Sequence, residues 1–260
     1  DNYEAFINEV CSDENYVDPH YLYDENNLYR AFEKRDQHVY AYFEDSKIRG
    51  IFVLLILPTE KYVETLIALS KSEHAYRELF EYLEKNYKGY RCDFVINPKN
   101  ILLKNILTSK NAIFENEQQR MIARQASKKE YSLDIQLFSD KWKQSYIDMH
   151  VKETYWTAEK VLSALDRFRV LLAIDKDQLV GYLDVTYAYK QNEQYSLVVL
   201  TQYQNQGYEE ALLSKAIALN GSNTMMTLVD VNAKEEIRIY EEAGFETIEG
   251  QNSIFVTITI

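Results

Sequence analysis

One stretch of the sequence joins an apolar strand to a helix start through a turn that contains glycine. Residues 197–200 are apolar, residues 201–206 are polar, and Gly207 comes directly before a helical stretch that opens at Tyr208. The first N–H groups of a helix have no partner inside the helix, and the helix dipole places partial positive charge there. Because glycine lets the backbone approach closely, the pattern predicts a site for an anionic group such as a pyrophosphate.

A second stretch, Tyr240-Glu241-Glu242-Ala243-Gly244-Phe245, ends a helix that follows a strand over residues 224–231. Together the two stretches resemble the GNAT N-acyltransferase superfamily, and the resemblance covers roughly residues 131–260. Gln204 and Gly207 match its Gln/Arg-x-x-Gly-x-Gly/Ala turn, and the Gly-Phe pair matches the helix end near the C-terminus of GNAT domains.

The resemblance implies an acetyl-CoA site and a set of residues around it. It implies that Tyr240 lies close to the CoA sulfur as general acid, that the end of the strand pairs with the pantetheine arm, and that the turn holds the pyrophosphate. Asn232 contacts the arm or caps the helix that follows it. The cofactor-binding residues implied are Val198, Val199, Leu200, Gln204, Asn205, Gln206, Gly207, Tyr208 and Asn232.

Two positions depart from the family pattern. Glu209 stands where the family has Gly or Ala, and Glu210 follows it. A carboxylate at a helix start stabilises the helix by about 0.3 to 1 kcal/mol, but it repels a pyrophosphate. Counting back from Tyr240, the asparagine of the family would fall at Ala233, one place after Asn232.

The acceptor amine must lose a proton, and three carboxylates are candidates for the base. They are Glu193, Asp184 and Asp230, each acting directly or through water. The resemblance implies that Glu153, Tyr155 and Trp156 line the acceptor site. For each of these residues a surface or packing role is the alternative, and His74 and His150 are expected at helix surfaces or edges.

The order of elements repeats along the chain. In each half, three strands that can pair in antiparallel fashion precede an amphipathic helix, a strand, a second helix and a closing strand. We therefore predict an α+β fold of two tandem GNAT-like domains, 1–126 and 127–260, each a mixed, mostly antiparallel sheet flanked by helices. The first half has no glycine between Leu69 and Tyr76, which predicts a degenerate half without a cofactor site.

Charge and cysteine usage narrow the classes of partner. The net charge is −12, and residues 131–260 hold 11 basic and 19 acidic groups, so a phosphate-tracking nucleic-acid binder is disfavoured. The longest apolar run, residues 51–57, is too short to cross a bilayer, so no membrane partner is expected. Cys11, Cys92 and four histidines show no metal-ligand spacing. We expect a cytoplasmic, metal-free protein, and a homodimer is left open.

The favoured hypothesis is an acetyl-CoA-dependent N-acetyltransferase that acts on a small, cationic amine. The alternative is a non-catalytic tandem GNAT-fold protein with a binding or regulatory role and a decayed CoA site, which Glu209 and the degenerate first half favour. A third hypothesis, an aminoacyl transferase that uses charged tRNA, is disfavoured by the acidity of both halves. The alternating pattern of the last strand leaves open whether it stays within its own domain or pairs elsewhere.

Overall fold

The computed structural model describes residues 3–260, which divide into two compact units. The first unit comprises residues 1–119 and 249–260, and the second comprises residues 120–248. The division falls before the boundary expected at residues 126 and 127, because a strand over Gln118–Ala123 already belongs to the second sheet. The last twelve residues, 249–260, were expected in the second domain, 127–260, but they belong to the first unit.

The first unit is a six-stranded sheet with helices on both faces. Its helices are α1 (Tyr3–Cys11), α2 (Pro19–Tyr23), α3 (Asn26–Arg30), α4 (Glu73–Asn86) and α5 (Ile101–Ser109). Its strands run in the order β1 (Gln37–Glu44), β2 (Lys47–Leu57), β3 (Tyr62–Ser70), β4 (Arg91–Ile96), β13 (Ile254–Thr259), β5 (Ile113–Phe114). Only β3 and β4 pair in parallel among these strands.

The second unit is a seven-stranded sheet built in the same way. Its helices are α6 (Lys143–Met149), α7 (Ala158–Leu162), α8 (Tyr208–Leu219) and α9 (Lys234–Ala243). Its strands run in the order β12 (Phe245–Thr247), β6 (Gln118–Ala123), β11 (Thr224–Asp230), β10 (Gln191–Val199), β9 (Gln178–Thr186), β8 (Phe168–Asp175), β7 (Asp134–Leu137). The predicted fold class, an α+β fold of two mostly antiparallel sheets flanked by helices, is confirmed.

Local sequence accounts for several element boundaries. The polar turn Asp175-Lys176-Asp177 joins β8 to β9, and Lys176 and Asp177 take left-handed φ values of 46° and 58°, which suits a tight hairpin. Helix α4 begins after Ser72, whose hydroxyl accepts the N–H of Ala75 at 3.3 Å, as an N-cap does. Its apolar positions fall on one face and are buried.

Each sheet is covered by apolar side chains on both faces. In the first unit, α4 and α5 bury Phe80, Leu83 and Leu107 against one face, while α1 and α3 bury Val10 and Leu28 against the other. In the second unit, α8 and α9 cover one face and α6 and α7 cover the other. The sheets therefore hold their central strands rigidly, which is what a site at the strand ends needs.

The C-terminal strand β13 pairs within the first unit, a placement that its sequence pattern left open. It lies between β4 and β5, pairing from Ile254 with Ile96 to Thr259 with Arg91. Its Ile254, Val256 and Ile258 are buried in the first unit's core. Within residues 3–260, no helix is long and apolar enough to span a membrane.

Candidate functional site

Strands β10 and β11 begin as a parallel pair and then separate. Their pairing runs from Gln191 with Thr224 to Glu193 with Met226, and both strands continue beyond it without pairing to each other in the described chain. On its other edge β10 stays paired with β9, through a register shift between Gln194 and Ser196. We call the opening between residues 194–199 and residues 227–230 the second wedge, because it lies in the second unit. It leaves backbone groups of β10 available to a ligand.

The turn after β10 leads into an α8 start that no side chain caps. Gly207 occupies the N-cap position with φ +86°, and Asn205 takes φ +59°. Gln204 turns back, and its Nε2 donates to the carbonyl oxygen of Val199 at 3.2 Å. Gln206 donates likewise to the Gln202 carbonyl at 2.7 Å. The amide side chains thus hold the turn, and the backbone N–H groups are what it offers to an anion.

Two acidic side chains are buried at this helix start. Glu209 and Glu210 are 8% and 5% exposed, and Oε2 of each is enclosed without a hydrogen-bond partner among the described residues. Burial raises the pKa of Glu209, and the neighbouring Glu210 adds to the rise. The ring of Tyr131 lies against Gly207, where a Cβ would be 3.5 Å from its edge. The helix start therefore offers backbone N–H groups, but beside them lie carboxyl groups with an unsatisfied oxygen.

Tyr240 lies inside the second unit, with its hydroxyl directed toward β10. The side chain is 2% exposed, and its hydroxyl donates to Oε1 of Gln194. The same oxygen accepts the hydroxyl of Thr227 at 2.9 Å. Burial raises the pKa of Tyr240, so the hydroxyl keeps its proton. Gln194 thus joins β10, β11 and α9 at the point where the second wedge opens, and no motif in the sequence pointed to it.

Asn232 lies on the surface in the turn between β11 and α9. Its backbone N–H donates to Oδ1 of Asp230 at 2.8 Å, and Ala233 occupies the N-cap position of α9 without a side-chain cap. The Asn232 side chain therefore does not cap the helix. Its contact with a pantetheine arm stays a prediction, as do the contacts of Val198, Val199, Leu200 and Tyr208, whose side chain is buried in the core.

A buried ion pair lies on the other face of the sheet, behind β10. Nε2 of His150 is 2.8 Å from Oδ2 of Asp184, and Tyr146 donates its hydroxyl to Oδ1 of the same carboxylate at 2.8 Å. Nδ1 of His150 donates to the carbonyl oxygen of Val151 at 2.8 Å. With an acceptor at each ring nitrogen, the pair holds one proton beyond a neutral imidazole and a carboxylate. Burial acts to lower the pKa of His150, but the hydrogen bonds to Asp184 and Val151 outweigh it and raise the pKa.

This network reaches β10 through Tyr182. The ring of His150 stacks on that of Tyr182 at 5.0 Å, and the Tyr182 hydroxyl accepts the N–H of Val151 at 3.2 Å and shares a 2.8 Å hydrogen bond with Ser196. Ser196 lies opposite Asp184 in the strand register. His150, expected at a helix surface or edge, follows the last residue of α6 and is fully enclosed. Its position 34 residues before Asp184 hides this pair from sequence patterns.

The three base candidates differ in access. Both oxygens of Asp184 are engaged by His150 and Tyr146, and Asp230 holds the turn at Asn232. Glu193 is half-buried at the last paired position before the second wedge. It also interacts with the hydroxyl of Tyr195. Glu193 is therefore the carboxylate with the most freedom to accept a proton.

The residues expected to line an acceptor site are partly together. Trp156 lies with its ring 4.7 Å from that of Phe168 and 6.2 Å from that of Tyr195, as ring-centre distances. Tyr155 is exposed and contacts Trp156 edge-on at 5.5 Å. Glu153 is exposed. This aromatic group lies next to Glu193 through Tyr195, and its role toward an acceptor stays a prediction.

The first unit has the same strand geometry with a different content. Strands β3 and β4 pair from Tyr62 with Arg91 to Thr65 with Phe94, and pairing then stops. We call the opening between residues 66–70 and residues 95–96 the first wedge. Asp18 accepts the N–H of Ala68 at 2.9 Å, and Nδ1 of His20 donates to the Leu66 carbonyl at 2.6 Å. The chain's own residues 17–20 thus take up the free edge of β3.

Part of the chain matches a protein-family model, and most of the chain is similar in fold to solved structures. Residues 166–247 match the family model described as an acetyltransferase (GNAT) domain. A GCN5-related N-acetyltransferase from Sphaerobacter thermophilus is similar in structure, with a TM-score of 0.62 and 10% identity, over 82% of this chain and 78% of that one. No curated protein matches the chain in sequence.

Two further solved structures are similar over most of their length. A tandem GNAT protein from the clavulanic acid biosynthesis pathway has a TM-score of 0.55 and 11% identity, over 86% of this chain and 83% of that one. A conserved protein of unknown function from Staphylococcus epidermidis has a TM-score of 0.60 and 15% identity, over 85% of this chain and 94% of that one. At these identities the likeness is one of fold.

Proposed function

We propose that the second unit is an acetyl-CoA-dependent N-acetyltransferase acting on a small, cationic amine. The premise is that residues 166–247 match a GNAT acetyltransferase domain and that the chain has the fold of tandem GNAT proteins. The observation that carries the proposal is the second wedge, where β10 has a free edge and α8 begins at an uncapped glycine. The acceptor, its charge and a cytoplasmic location are parts of the proposal that rest on the sequence.

Acetyl-CoA, when bound, would supply the thioester carbonyl that the amine attacks. The backbone groups of β10 that face the second wedge, other than the Val199 carbonyl that Gln204 already bonds, would hold the arm as a neighbouring strand would. The N–H groups at Gly207 and Tyr208 would hold the pyrophosphate. Orienting the donor against the amine is the main contribution expected of such a site.

Two side chains would move protons. Glu193 would accept a proton from the acceptor amine, directly or through water, because it is a half-buried carboxylate at the last paired position before the second wedge. Tyr240 would donate its hydroxyl proton to the leaving thiolate after releasing Gln194, its present acceptor. The enclosed position of Tyr240 keeps that proton in place until it is needed. The acidic second unit would attract a cationic amine.

The test combines calorimetric titration with acetyl-CoA and acetylation of a panel of small amines that differ in charge. We expect saturable binding and acetylation of at least one cationic amine. Tyr240→Phe should lower kcat at least about 10-fold with little change in the dissociation constant, as expected for loss of a general acid. Tyr187→Phe, which removes a hydroxyl bonded to the Leu165 carbonyl, is the matched control and should leave both values unchanged.

A second candidate is a non-catalytic GNAT-fold protein with a binding or regulatory role. The observations that favour it are Oε2 of Glu209 and of Glu210, which have no hydrogen-bond partner among the described residues, and the engagement of Tyr240 by Gln194. Absence of acetyl-CoA binding at millimolar concentration, by wild type and by variants that remove the Glu209 charge, would support this candidate and exclude the enzyme.

A further inference from the structure

Most of the enclosed side-chain polar atoms that lack a hydrogen-bond partner among the described residues lie on or beside α8. Besides Oε2 of Glu209 and of Glu210, the hydroxyls of Tyr131 and Ser214 are enclosed without a hydrogen-bond partner among the described residues. All four side chains lie on α8 or on the segment that runs past Gly207. An enclosed polar group without a partner costs about 1 to 3 kcal/mol, so a ligand that gave Glu209 a partner would relieve part of this cost.

Glu209 is the member of the group placed closest to the expected anion site by its position on the helix. It is the second residue of α8, and its carboxylate turns back to its own backbone N–H. That N–H is one of the donors at the helix start that have no partner within the helix. An ionised Glu209 therefore uses a donor that a phosphate would need.

The charged groups around Glu209 do not neutralise it. Glu210 on the same helix adds a second negative charge. On α9, Arg238 lies 4.0 Å from Oε1 of Glu210, but it is bonded to Glu235 at 2.6 Å and to Glu242. On the segment before β7, Lys129 pairs with Glu242 at 3.0 Å, and Tyr131 is uncharged. On the sheet, the nearby charge is Asp175 at the end of β8, which raises the pKa of Tyr208 after burial has done so.

A carboxyl group in these surroundings can meet an anion in one of two states. Ionised, it repels the phosphate across a short distance through an interior of low polarity, where repulsion is strong. Protonated, its O–H becomes a donor, and the carboxyl adds to the N–H groups of the turn. Burial raises the pKa of Glu209 and so brings the protonated state closer to neutral pH.

We propose that Glu209 is a proton-linked gate of the donor site, so that a pyrophosphate binds at the start of α8 only when Glu209 carries a proton. The inference rests on the proposed function, because it concerns the binding of CoA to the second wedge. Binding then takes up one proton from solvent per site, and the O–H formed on Glu209 donates to a phosphate oxygen. Glu209, which departs from the family turn, thus determines the pH range in which the site binds a pyrophosphate.

The experiment measures binding by calorimetry between pH 5.5 and 8.5, in paired buffers that differ in ionisation enthalpy. The probe is dephospho-CoA, because the 3′-phosphate of CoA itself titrates with a pKa of about 6. For wild type we expect uptake of a proton and an affinity that falls by up to about 10-fold per pH unit at the alkaline end. Pantetheine, which lacks the pyrophosphate, should bind with no pH dependence.

Glu209→Gln is the decisive variant, since it keeps the shape of the side chain and removes its charge. It should bind dephospho-CoA at least about 10-fold more tightly than wild type at pH 8 and take up no proton. Glu246→Gln, at an exposed position of β12, removes the same charge elsewhere and should keep the wild-type profile. Thermal unfolding of each variant checks that it is folded.

The outcomes separate the two proposals. If wild type and Glu209→Gln bind dephospho-CoA with the same affinity and the same pH profile, the gate is disproved and the acetyltransferase proposal stands. If neither protein binds dephospho-CoA at any pH while both remain folded, the donor site itself is absent and both proposals fail.

Discussion

The two wedges have the same strand geometry and differ in what fills them. In the first wedge, Asp18 and His20 take the N–H of Ala68 and the carbonyl of Leu66. In the second wedge, β10 has no partner strand beyond Glu193 on this edge among the described residues; Gln194 spans the inner end and Gln204 bonds the Val199 carbonyl at the outer end. One fold thus serves either as a closed structural unit or as a site, according to whether the chain satisfies its own backbone groups there.

The helix starts behind the wedges differ in the same direction. Ser72 caps α4 with its hydroxyl, and Tyr76 donates its hydroxyl to the Ser70 carbonyl at 2.9 Å. Helix α8 begins at Gly207 without a side-chain cap. In the first unit, the N–H groups at the helix start are therefore bonded within the chain, whereas the second unit leaves them available to a ligand.

The largest effect is expected where the wall of the second wedge is broken. His150→Ala leaves the Asp184 carboxylate enclosed without its partner, and loss of one member of a buried ion pair costs about 3 to 5 kcal/mol. Urea unfolding at pH 7 measures the loss. Removing both members, as in His150→Leu with Asp184→Leu, should cost less than His150→Ala alone; an equal or larger cost would show that the pair is not electrostatically coupled.

The next effect is expected where the first wedge is reopened. Asp18→Ala leaves the N–H of Ala68 enclosed without a partner and removes the N-cap that accepts Tyr21 N–H at 3.2 Å, so it should cost about 2 to 3 kcal/mol. Asp18→Asn keeps an acceptor oxygen and should cost less than half as much. Equal losses of unfolding free energy for the two variants would contradict the conclusion that the hydrogen bond from Ala68 to Asp18 closes the first wedge.

A smaller pair of effects compares the helix starts. Ser72→Ala should cost about 1 kcal/mol through loss of the cap. Gly207→Ala should cost about 1 to 2 kcal/mol, because φ is +86° there and an L residue is strained. Only Gly207→Ala should weaken dephospho-CoA binding at pH 6, measured by calorimetry. A loss of binding in Ser72→Ala would mean that the first unit also takes part.

The smallest expected effect is a slope in stability against pH. The pKa of Glu209 is raised above its ordinary value of 4.5, so between these values the folded chain holds the proton and the unfolded chain does not. Its contribution to stability is therefore full below pH 4.5 and is lost as pH rises through the folded value. Urea unfolding from pH 4.5 to 8 should show a steeper decline for wild type than for Glu209→Gln, with Glu246→Gln parallel to wild type.

The sequence predicted those features that depend on neighbours along the chain. The turn from Gln204 to Gly207, the amphipathic α4 and the Asp175–Asp177 hairpin are local, and each lies where its residues predict. The absence of glycine before Tyr76 also indicated a first unit unlike the second.

The rest depends on contacts between distant residues. Alternation in β13 identifies its apolar face but says nothing about its partner strand, so its place between β4 and β5 was open. Asp18 before Pro19 reads locally as a helix cap, and its bond to Ala68 lies 50 positions away. His150 and Gln194 are single polar residues whose partners come from other strands and helices, so nothing in their own sequence neighbourhood marks them.

The placement of β13 also bears on the order of events during synthesis. Residues 254–259 fill the gap between β4 and β5, so the first unit's sheet stays split until the whole second unit has left the ribosome. Most of the chain must therefore emerge before the part made first can close, and its unpaired β4 and β5 edges remain exposed for that time. A slowed or interrupted translation would leave the first unit, and not the second, as the part at risk of aggregation.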